Sequence, residues 1–390
     1  MDEVNRIVNV FKKFKGLTTI GITNIASNAI SGLFWLYIAS LLDTTKYGQI
    51  SYLIAIAGIS TTISFLGSGN SLVVYTAKKI KIESSVYSIA LLASVISAAI
   101  LFIIFQHLEI CLFLIGNVIF GLVTYELLGK KQYKQYAIFM ISQKVIASIS
   151  AISLNYLIGF NGIILGIAIS FFITSHHIFK VFRDYKIDYS LLRSRFRFII
   201  NSFMTDISRT FSGTLDKLIV APLLGYALLG NYQLGTQFLS LLLIIPGALF
   251  QFLLPHDSEG NSNLKLKKIS IFFSIALAIT GFTLAPVFLP IIFPKFHEAG
   301  QIIQILSFSV IATTINITYI SKFLSIEKNR IVLIGSGIYL SIQIILILLL
   351  GKIIGVNGVA LALVISSFSE TIYLVMMDRL LKRRTLDKNN

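Results

Sequence analysis

The sequence predicts an all-α membrane protein of about twelve transmembrane helices, and its composition and segment lengths are the first observations that predict it. Hydrophobic residues make up 55% of the chain and charged residues 13%, about half the charged share usual in soluble domains. Apolar segments of about 20 residues, the length that an α-helix needs to cross a bilayer, recur from Leu17 to Met377. Stretches such as Ile269–Pro294 and Ile331–Leu350 are apolar on all sides and do not alternate, so the sequence favours helices over a transmembrane β-barrel.

The predicted spans follow one another through short loops. They cover residues 17–41, 48–73, 85–106, 109–129, 136–158, 162–182, 198–224, 229–254, 269–293, 299–324, 331–350 and 356–377. Residues 1–16 are predicted to form an amphipathic segment on the cytoplasmic face. We expect a six-helix bundle over 17–182, a basic cytoplasmic linker over 183–197, a second six-helix bundle over 198–378 and a basic cytoplasmic tail over 379–390.

The placement of the basic residues is the third observation, and it predicts the orientation. Most of the 33 Lys and Arg residues lie at the two ends and in every second loop, whereas the other loops hold only Lys46, Lys295 and Lys352. This is the positive-inside pattern, so both termini are predicted to be cytoplasmic in a multi-pass protein of the plasma membrane. The basic ring is expected to face anionic inner-leaflet lipids, which accounts for the net charge of +16 without a nucleic-acid partner.

The sequence groups no residues that could carry an enzymatic reaction. It contains no Walker-type phosphate-binding segment, no cluster of metal ligands and no nucleophile–base pair, and its only cysteine, Cys111, lies in an apolar segment. The loops are too short for an inserted soluble domain. We therefore predict no catalytic residues, no metal site and no cofactor.

An internal repeat divides the chain into two halves. Gly-Phe-Asn-Gly at 159–162 recurs 196 residues later as Gly-Val-Asn-Gly at 355–358, each at the outer start of the last helix of a bundle. A weaker echo pairs the outer turn over 41–48 with that over 223–230. Two parallel six-helix bundles related by a pseudo-two-fold axis along the membrane normal are a transporter architecture, with the substrate between the halves near the bilayer midplane.

The repeated turns carry a family resemblance, together with four motifs. These are Leu-Leu…Tyr-Gly over 41–48, Leu-Gly-Ser-Gly over 66–69, Leu-Asp-Lys-Leu-Ile over 215–219 and Leu-Gly-Asn-Tyr over 229–232. In their order and spacing the chain resembles the polysaccharide-transporter branch of the multidrug/oligosaccharidyl-lipid/polysaccharide (MOP) exporter superfamily, which includes the O-antigen flippases.

The resemblance implies an alternating-access transporter. Its substrate would be a polyprenyl-pyrophosphate-linked sugar moved from the inner to the outer leaflet, with glycan-assembly proteins as further partners. The chain is short for the family. It also lacks the extra helix pair with which the lipid II flippase branch lines a groove for the lipid tail, so that branch is disfavoured.

Charges inside the seventh span mark the candidate site, because a charge at the bilayer centre costs about 2.5–3.5 kcal/mol and is a functional hypothesis by default. The spacing of Asp206, Arg209, Gly213 and Asp216 predicts that they share one helix face. Lys217 follows directly. Gly213 is expected to leave room on that face for a ligand or a neighbouring backbone.

Arg209, with Lys144 in the fifth span and Lys217, is predicted to bind the pyrophosphate, because a guanidinium meets phosphate oxygens bidentately. Asp206 or Asp216 would hold Arg209 when the site is empty. The alternative is a permanent Asp206–Arg209 ion pair that only packs the helix against a neighbour.

Other polar residues and prolines within the spans complete the predicted site. Asp206 and Glu370 are candidates for a coupling ion, Na⁺ or H⁺. Asn24 and Asn28 lie one turn apart and either face the cavity or bond between helices. Candidate hinges are prolines that break helical hydrogen bonds, with permanent kinks as the alternative; they are Pro246, Pro286 and Pro290.

Two further functions compete with the flippase. One is a sodium- or proton-coupled multidrug or metabolite exporter of the same superfamily. The charges inside the spans balance and do not separate the two, so the family motifs favour the flippase. The other is a membrane-bound glycan polymerase or ligase, which is disfavoured because no large outer loop with catalytic Arg or His is present.

Overall fold

The computed structural model describes residues 2–184, 186–247, 249, 264–326 and 328–386, with side chains given for the described residues from Thr18 to Leu381 apart from residues 264 and 266. Every regular element in these ranges is helical. The numbered helices, in chain order, are α1 (Asp2–Leu41), α2 (Thr44–Phe65), α3 (Ser68–Ala77), α4 (Glu83–Phe105), α5 (Leu108–Gly129), α6 (Tyr133–Ile158), α7 (Asn161–Phe171), α8 (Ser175–Asp184), α9 (Ser190–Arg193), α10 (Phe196–Leu224), α11 (Tyr226–Leu242), α12 (Leu264–Ile292), α13 (Ala299–Ser325) and α14 (Asn329–Leu386). Helix α9 is a single turn. A short 3₁₀ turn, Phe172–Thr174, joins α7 to α8.

The helices agree with the predicted spans along most of the chain. Nine helical stretches in the described residues are long and apolar enough to cross a membrane, and the last of them, Asn329–Leu381, holds two predicted spans. The seventh predicted span is α10, which is too polar to be counted. The eighth begins as α11, which has 17 residues, and its predicted residues 250–254 lie outside the described ranges. The protein is therefore an all-α, multi-pass membrane protein.

Packing divides the chain into two compact units. The first unit holds Met1–Phe34 and Leu53–Leu215, and the second holds Trp35–Tyr52 and Asp216–Asn390. Helices α1, α2 and α10 thus each contribute one part to either unit. The bundle boundaries expected from the repeat do not coincide with these unit boundaries, and the division into bundles stays a prediction.

Each unit has its own apolar core. In the first unit α5 is central and packs against α3, α4, α6 and α7. Because neighbours surround it, most of its side chains are buried. In the second unit the core joins the end of α10 to α11, α13 and α14 through buried residues such as Leu229, Tyr232 and Leu306.

The predicted second span is interrupted, which corrects the expectation of one helix over 48–73. Helix α2 ends at Phe65 and α3 begins at Ser68, with Leu66 at φ 47° and Gly67 at φ 75° between them. A Cβ at Gly67 would lie 2.2 Å from the carbonyl oxygen of Ile199 in α10. Glycine is thus required at position 67 for two reasons, the left-handed backbone conformation and the close approach of α10.

The internal repeat is reproduced in backbone geometry. Gly159 has φ 79° and Gly355 has φ 61°, and the second of these breaks α14 into its two predicted spans. Three residues later, a Cβ on Gly162 would lie 2.3 Å from the Leu154 oxygen, and a Cβ on Gly358 would lie 2.2 Å from the Leu350 oxygen. The two Gly-x-Asn-Gly turns are therefore equivalent helical hairpins.

Candidate functional site

A polar cavity of about 410 Å³ opens within the first unit. Its walls come from α2, α3, α5 and α10. The lining residues are Gly58, Thr61, Thr62, Phe65, Gly69, Asn117, Tyr125, Asp206, Arg209, Thr210, Gly213 and Thr214. Hydroxyl, amide and charged groups dominate this list although every helix that supplies them is a predicted membrane span.

Helix α10 supplies the charged wall of the cavity. Asp206, Arg209 and Gly213 all line it, at the i, i+3, i+7 spacing that places residues on one helix face. Thr210 and Thr214 widen the same face, and the hydroxyl of Thr210 lies 2.8 Å from that of Thr62 in α2. The cavity thus accounts for the polar residues on this face of α10.

Glycines give the cavity its volume. Among the described residues, a Cβ added to Gly58 or to Gly213 would have no other atom within 4 Å, so a side chain at either position would enter open space. Gly69 acts differently, because a Cβ there would lie 2.7 Å from the ring of Tyr125. The Tyr125 ring in turn meets Phe65 edge-on, with 5.9 Å between centroids, so an aromatic pair forms part of the wall.

The guanidinium of Arg209 is available to a ligand. The residue is exposed, and within the described ranges its side chain has no hydrogen bond and no carboxylate oxygen within 4.0 Å. Asp206 lies close enough to interact electrostatically but accepts its hydrogen bond from the Asn70 amide, at 3.2 Å. The permanent Asp206–Arg209 ion pair is therefore not formed.

Asp216 and Lys217 do not line this cavity, although Asp216 continues the spacing of Asp206, Arg209 and Gly213 along α10. Both belong to the second unit. The carboxylate of Asp216 is buried and accepts hydrogen bonds from the Tyr232 hydroxyl at 2.8 Å and from the Lys217 backbone N–H at 2.8 Å. The Lys217 ammonium lies 4.0 Å from the same carboxylate. This arrangement ties α10 to α11, so the family motif marks a packing contact here.

The remaining predicted ligands of the first unit lie away from the cavity wall. Asn24 in α1 accepts a hydrogen bond from the Tyr136 hydroxyl of α6, at 3.3 Å, which is the interhelical bond weighed as its alternative. Asn28 is exposed. Lys144 lies in α6 beside Gln143, whose amide donates to Ser170 at 2.9 Å, and does not line the cavity.

Glu370 lies in the second unit, within a polar group of α13 and α14. The Asn316 amide donates to Glu370 at 3.0 Å and to the Ser367 carbonyl at 3.2 Å, and it accepts from the Thr371 hydroxyl at 2.7 Å. Asp206 and Glu370 thus belong to separate units. In the described part of the chain no three His, Cys, Asp or Glu residues group as metal ligands.

The candidate hinges fall at two kinds of position. Pro286 and Pro290 lie inside α12, where each removes a helical hydrogen bond. Pro246 follows the end of α11 at Leu242, in a short helical turn that borders the residues outside the description. The structure gives each residue one position, so hinge motion remains a prediction.

Several residues of the site were not singled out from the sequence. Asn117 and Tyr125 of α5, Thr61 of α2 and Asn70 of α3 all border or support the cavity. A signal was present, because polar side chains recur at these places within apolar spans. Only the structure shows that they converge on one cavity.

Comparison with known proteins gives a fold and no close relative. No protein-family model and no curated protein sequence matches the chain. The lipid II flippase MurJ in an inward closed conformation aligns over 92% of this chain and 87% of its own, at 17% identity and a TM-score of 0.66. A multidrug resistance MATE family transporter of the MOP superfamily, inward-facing, aligns over 94% and 95% at 15% identity and 0.64.

A third structure, a MOP superfamily transporter from Pyrococcus furiosus, covers 94% of this chain and 95% of its own at 14% identity and a TM-score of 0.62. These likenesses are far below the identity at which substrates carry over. They extend over nearly the whole length of every chain, so they establish the architecture. The protein has the fold of the MOP superfamily transporters.

Proposed function

We propose that the protein is a flippase that moves a polyprenyl-pyrophosphate-linked oligosaccharide across the cytoplasmic membrane by alternating access, for surface polysaccharide or glycoconjugate synthesis. The observation that carries the proposal is the guanidinium of Arg209, which has no carboxylate partner among the described residues and lines a polar cavity within the membrane-spanning part of the chain. An arginine at such depth is costly unless it meets water, a partner or a ligand. A pyrophosphate satisfies it with two parallel charge-assisted hydrogen bonds.

The rest of the cavity suits a sugar. Asn117 supplies an amide that both donates and accepts hydrogen bonds. The hydroxyls of Thr61 and Thr62 donate to the Ala57 and Gly58 carbonyls, at 2.8 and 3.2 Å, and offer their oxygens as acceptors to sugar hydroxyls. The ring of Tyr125 supplies an apolar face with a polar tip. These groups support a glycan ligand better than a purely apolar one.

Asp206 provides a route to ion coupling at the same site. Its carboxylate lies near Arg209 and would repel an incoming pyrophosphate, since like charges in a cavity of low dielectric are costly. A proton or Na⁺ on Asp206 removes that repulsion. We therefore place the coupling ion at Asp206, with Glu370 as a second candidate in the other unit.

Under this proposal both termini are cytoplasmic, and the partners are the lipid-linked sugar, anionic inner-leaflet lipids and glycan-assembly proteins.

The test uses purified protein in vesicles that contain a fluorescent polyprenyl-pyrophosphate-linked sugar, with outer-leaflet sugar measured by a membrane-impermeant reagent. Arg209→Ala should abolish flipping. Arg197→Ala, an exposed arginine of the same helix outside the cavity, is the matched control and should flip normally.

Flipping by inserted, folded Arg209→Ala at the wild-type rate would exclude the phosphate-binding role.

An exporter of cationic drugs or metabolites is the second candidate, and Asp206 in the cavity is the observation that favours it. That function predicts the opposite pattern. Efflux of a cationic dye would then survive Arg209→Ala and be lost in Asp206→Asn.

A further inference from the structure

A second depression in the first unit is chemically the reverse of the cavity. It has a volume of about 250 Å³ and lies between the start of α10, the break between α2 and α3, and the first turns of α4. The α10 wall consists of four apolar residues, Phe196, Ile199, Ile200 and Phe203. We call it the apolar groove.

The wall of the groove that faces α10 is apolar as well. Leu66, Val86 and Ile89 line it. Ser68 and Ser71 also reach it, but the Ser71 hydroxyl is already bonded to the Gly67 carbonyl at 2.9 Å. Nothing along the body of the groove therefore selects a polar ligand.

One cation stands at the end of the groove. Arg193 lines it, is exposed, and within the described residues its guanidinium has no carboxylate oxygen within 4.0 Å. Arg193 lies in the linker that the sequence places in the cytoplasm. The groove thus combines an apolar body with a free positive charge at the predicted cytoplasmic surface.

The linker that carries Arg193 is held in place. The Ser84 hydroxyl of α4 donates to the Lys186 carbonyl at 2.7 Å, and the Asp188 N–H donates to the Ser85 hydroxyl at 2.8 Å. Both serines are fully buried. Arg193 follows five residues later, so its position beside the groove is built into the packing of the first unit.

The dimensions restrict the occupant. From Phe196 to Phe203 the groove runs for about 10 Å, at 1.5 Å per helical residue, which is less than half of the roughly 30 Å hydrocarbon core. A helix with side chains is about 10–12 Å across, too wide for a space of about 250 Å³. A single hydrocarbon chain from one leaflet fits, with its head group at the surface.

We infer that the apolar groove binds one acyl chain of an anionic phospholipid of the inner leaflet, with the lipid phosphate on Arg193. The site is separate from the Arg209 cavity and does not depend on the proposed transport function. The inner leaflet supplies the ligand, since anionic lipids are attracted to basic residues near the membrane surface. The bound chain completes the packing between α4 and α10.

The experiment measures lipid retained by the purified full-length protein. Detergent-solubilised protein is titrated with phosphatidylglycerol or phosphatidylcholine, and bound lipid is counted by native mass spectrometry. Phosphatidylglycerol carrying a mid-chain diazirine then maps the contact by cross-linking. We expect cross-links in the peptides that hold residues 66–89 and 196–203, and a preference of about five-fold for phosphatidylglycerol, as one basic residue near the surface provides.

Two variants with matched controls separate the charge from the groove. Arg193→Ala should remove the preference, whereas Arg197→Ala should keep most of it. Ile200→Trp fills the groove and should abolish the cross-links, whereas Ile103→Trp, on an exposed apolar position of α4, should leave them. Equal losses in Arg193→Ala and Arg197→Ala would reduce the effect to the general basic ring and overturn the proposal.

A different lipid is the other outcome that overturns it. If polyprenyl monophosphate displaces phosphatidylglycerol at equal concentration and is not displaced in return, the groove belongs to the carrier lipid. Cross-links that persist in Ile200→Trp would place the lipid elsewhere. Loss of sugar flipping in Arg209→Ala leaves all these results unchanged, so the two proposals fail independently.

Discussion

Gly48 and Gly230 are packed backbone to backbone in a reciprocal contact within the second unit. A Cβ on Gly48 would lie 1.9 Å from the Tyr226 oxygen, and a Cβ on Gly230 would lie 2.0 Å from the Thr44 oxygen. Thr44 and Tyr226 stand at the first residues of α2 and α11, separated by the same 182 residues as the two glycines. The weaker echo in the sequence is therefore a contact in which each repeat packs against its own counterpart.

The first prediction concerns opening of this contact, which lies on the predicted outer side. Gly230→Val inserts a branched side chain where no atom fits, and overpacking of about 1–3 kcal/mol should favour a state in which the two turns separate. Ser51, which is buried three residues after Gly48, reports on this separation. In a Cys111→Ser background, Ser51→Cys should react with an impermeant maleimide at least about five-fold faster when Gly230→Val is present.

The control for that experiment is Gly337→Val, since a Cβ at Gly337 would meet no atom of the described residues within 4 Å. It should leave the maleimide rate unchanged. Unchanged labelling in Gly230→Val, in protein as stable as the wild type, would mean that the contact is not one that opens.

The second prediction tests the equivalence of the repeated turns. Gly162→Ala places a methyl group 2.3 Å from the Leu154 carbonyl oxygen, and Gly358→Ala places one 2.2 Å from the Leu350 carbonyl oxygen. Because the geometry is the same, the two variants should lower thermal stability by similar amounts, corresponding to about 1–3 kcal/mol. Gly58→Ala, which meets no atom within 4 Å, should melt like the wild type. A loss in one turn and none in the other would contradict the equivalence.

The turns also show how far the sequence reaches. Helices, span order and the Gly-x-Asn-Gly hairpins were predictable because apolar length and glycine spacing are local properties of the chain. The break at Gly67 was not, since it is imposed by the backbone of Ile199, which lies 132 residues away in the chain. A glycine within an apolar run carries no sign of which distant helix approaches it.

The candidate site divides in the same way. The face of α10 that carries Asp206, Arg209 and Gly213 follows from helical periodicity, and the structure brings these residues to one cavity. Asp216 continues that periodicity but is taken by Tyr232 of α11. Helical periodicity predicts which residues of α10 share a face. It cannot predict at which residue the helix passes from the first compact unit to the second.

The third prediction tests whether the cavity is the path of the substrate. Gly213→Leu projects a side chain into open space and should reduce flipping of the lipid-linked sugar by at least about ten-fold, with little change in thermal stability because no packed atom is displaced. Gly337→Leu is the control, as another helical glycine with open space and no place on the cavity wall. Normal flipping by Gly213→Leu would remove the cavity from the transport path.

The fourth prediction concerns ion coupling at Asp206. Asp206→Asn keeps the size of the side chain and an acceptor for the Asn70 amide, but it removes the charge that a proton or Na⁺ would neutralise. Flipping driven by an imposed pH or Na⁺ gradient should lose its dependence on that gradient, while exchange of lipid-linked sugar without a gradient should persist or accelerate. Glu370→Gln, in the polar group with Asn316, is the comparison. If gradient dependence survives Asp206→Asn and disappears in Glu370→Gln, the coupling ion binds in the second unit, and the cavity of the first unit serves the substrate alone.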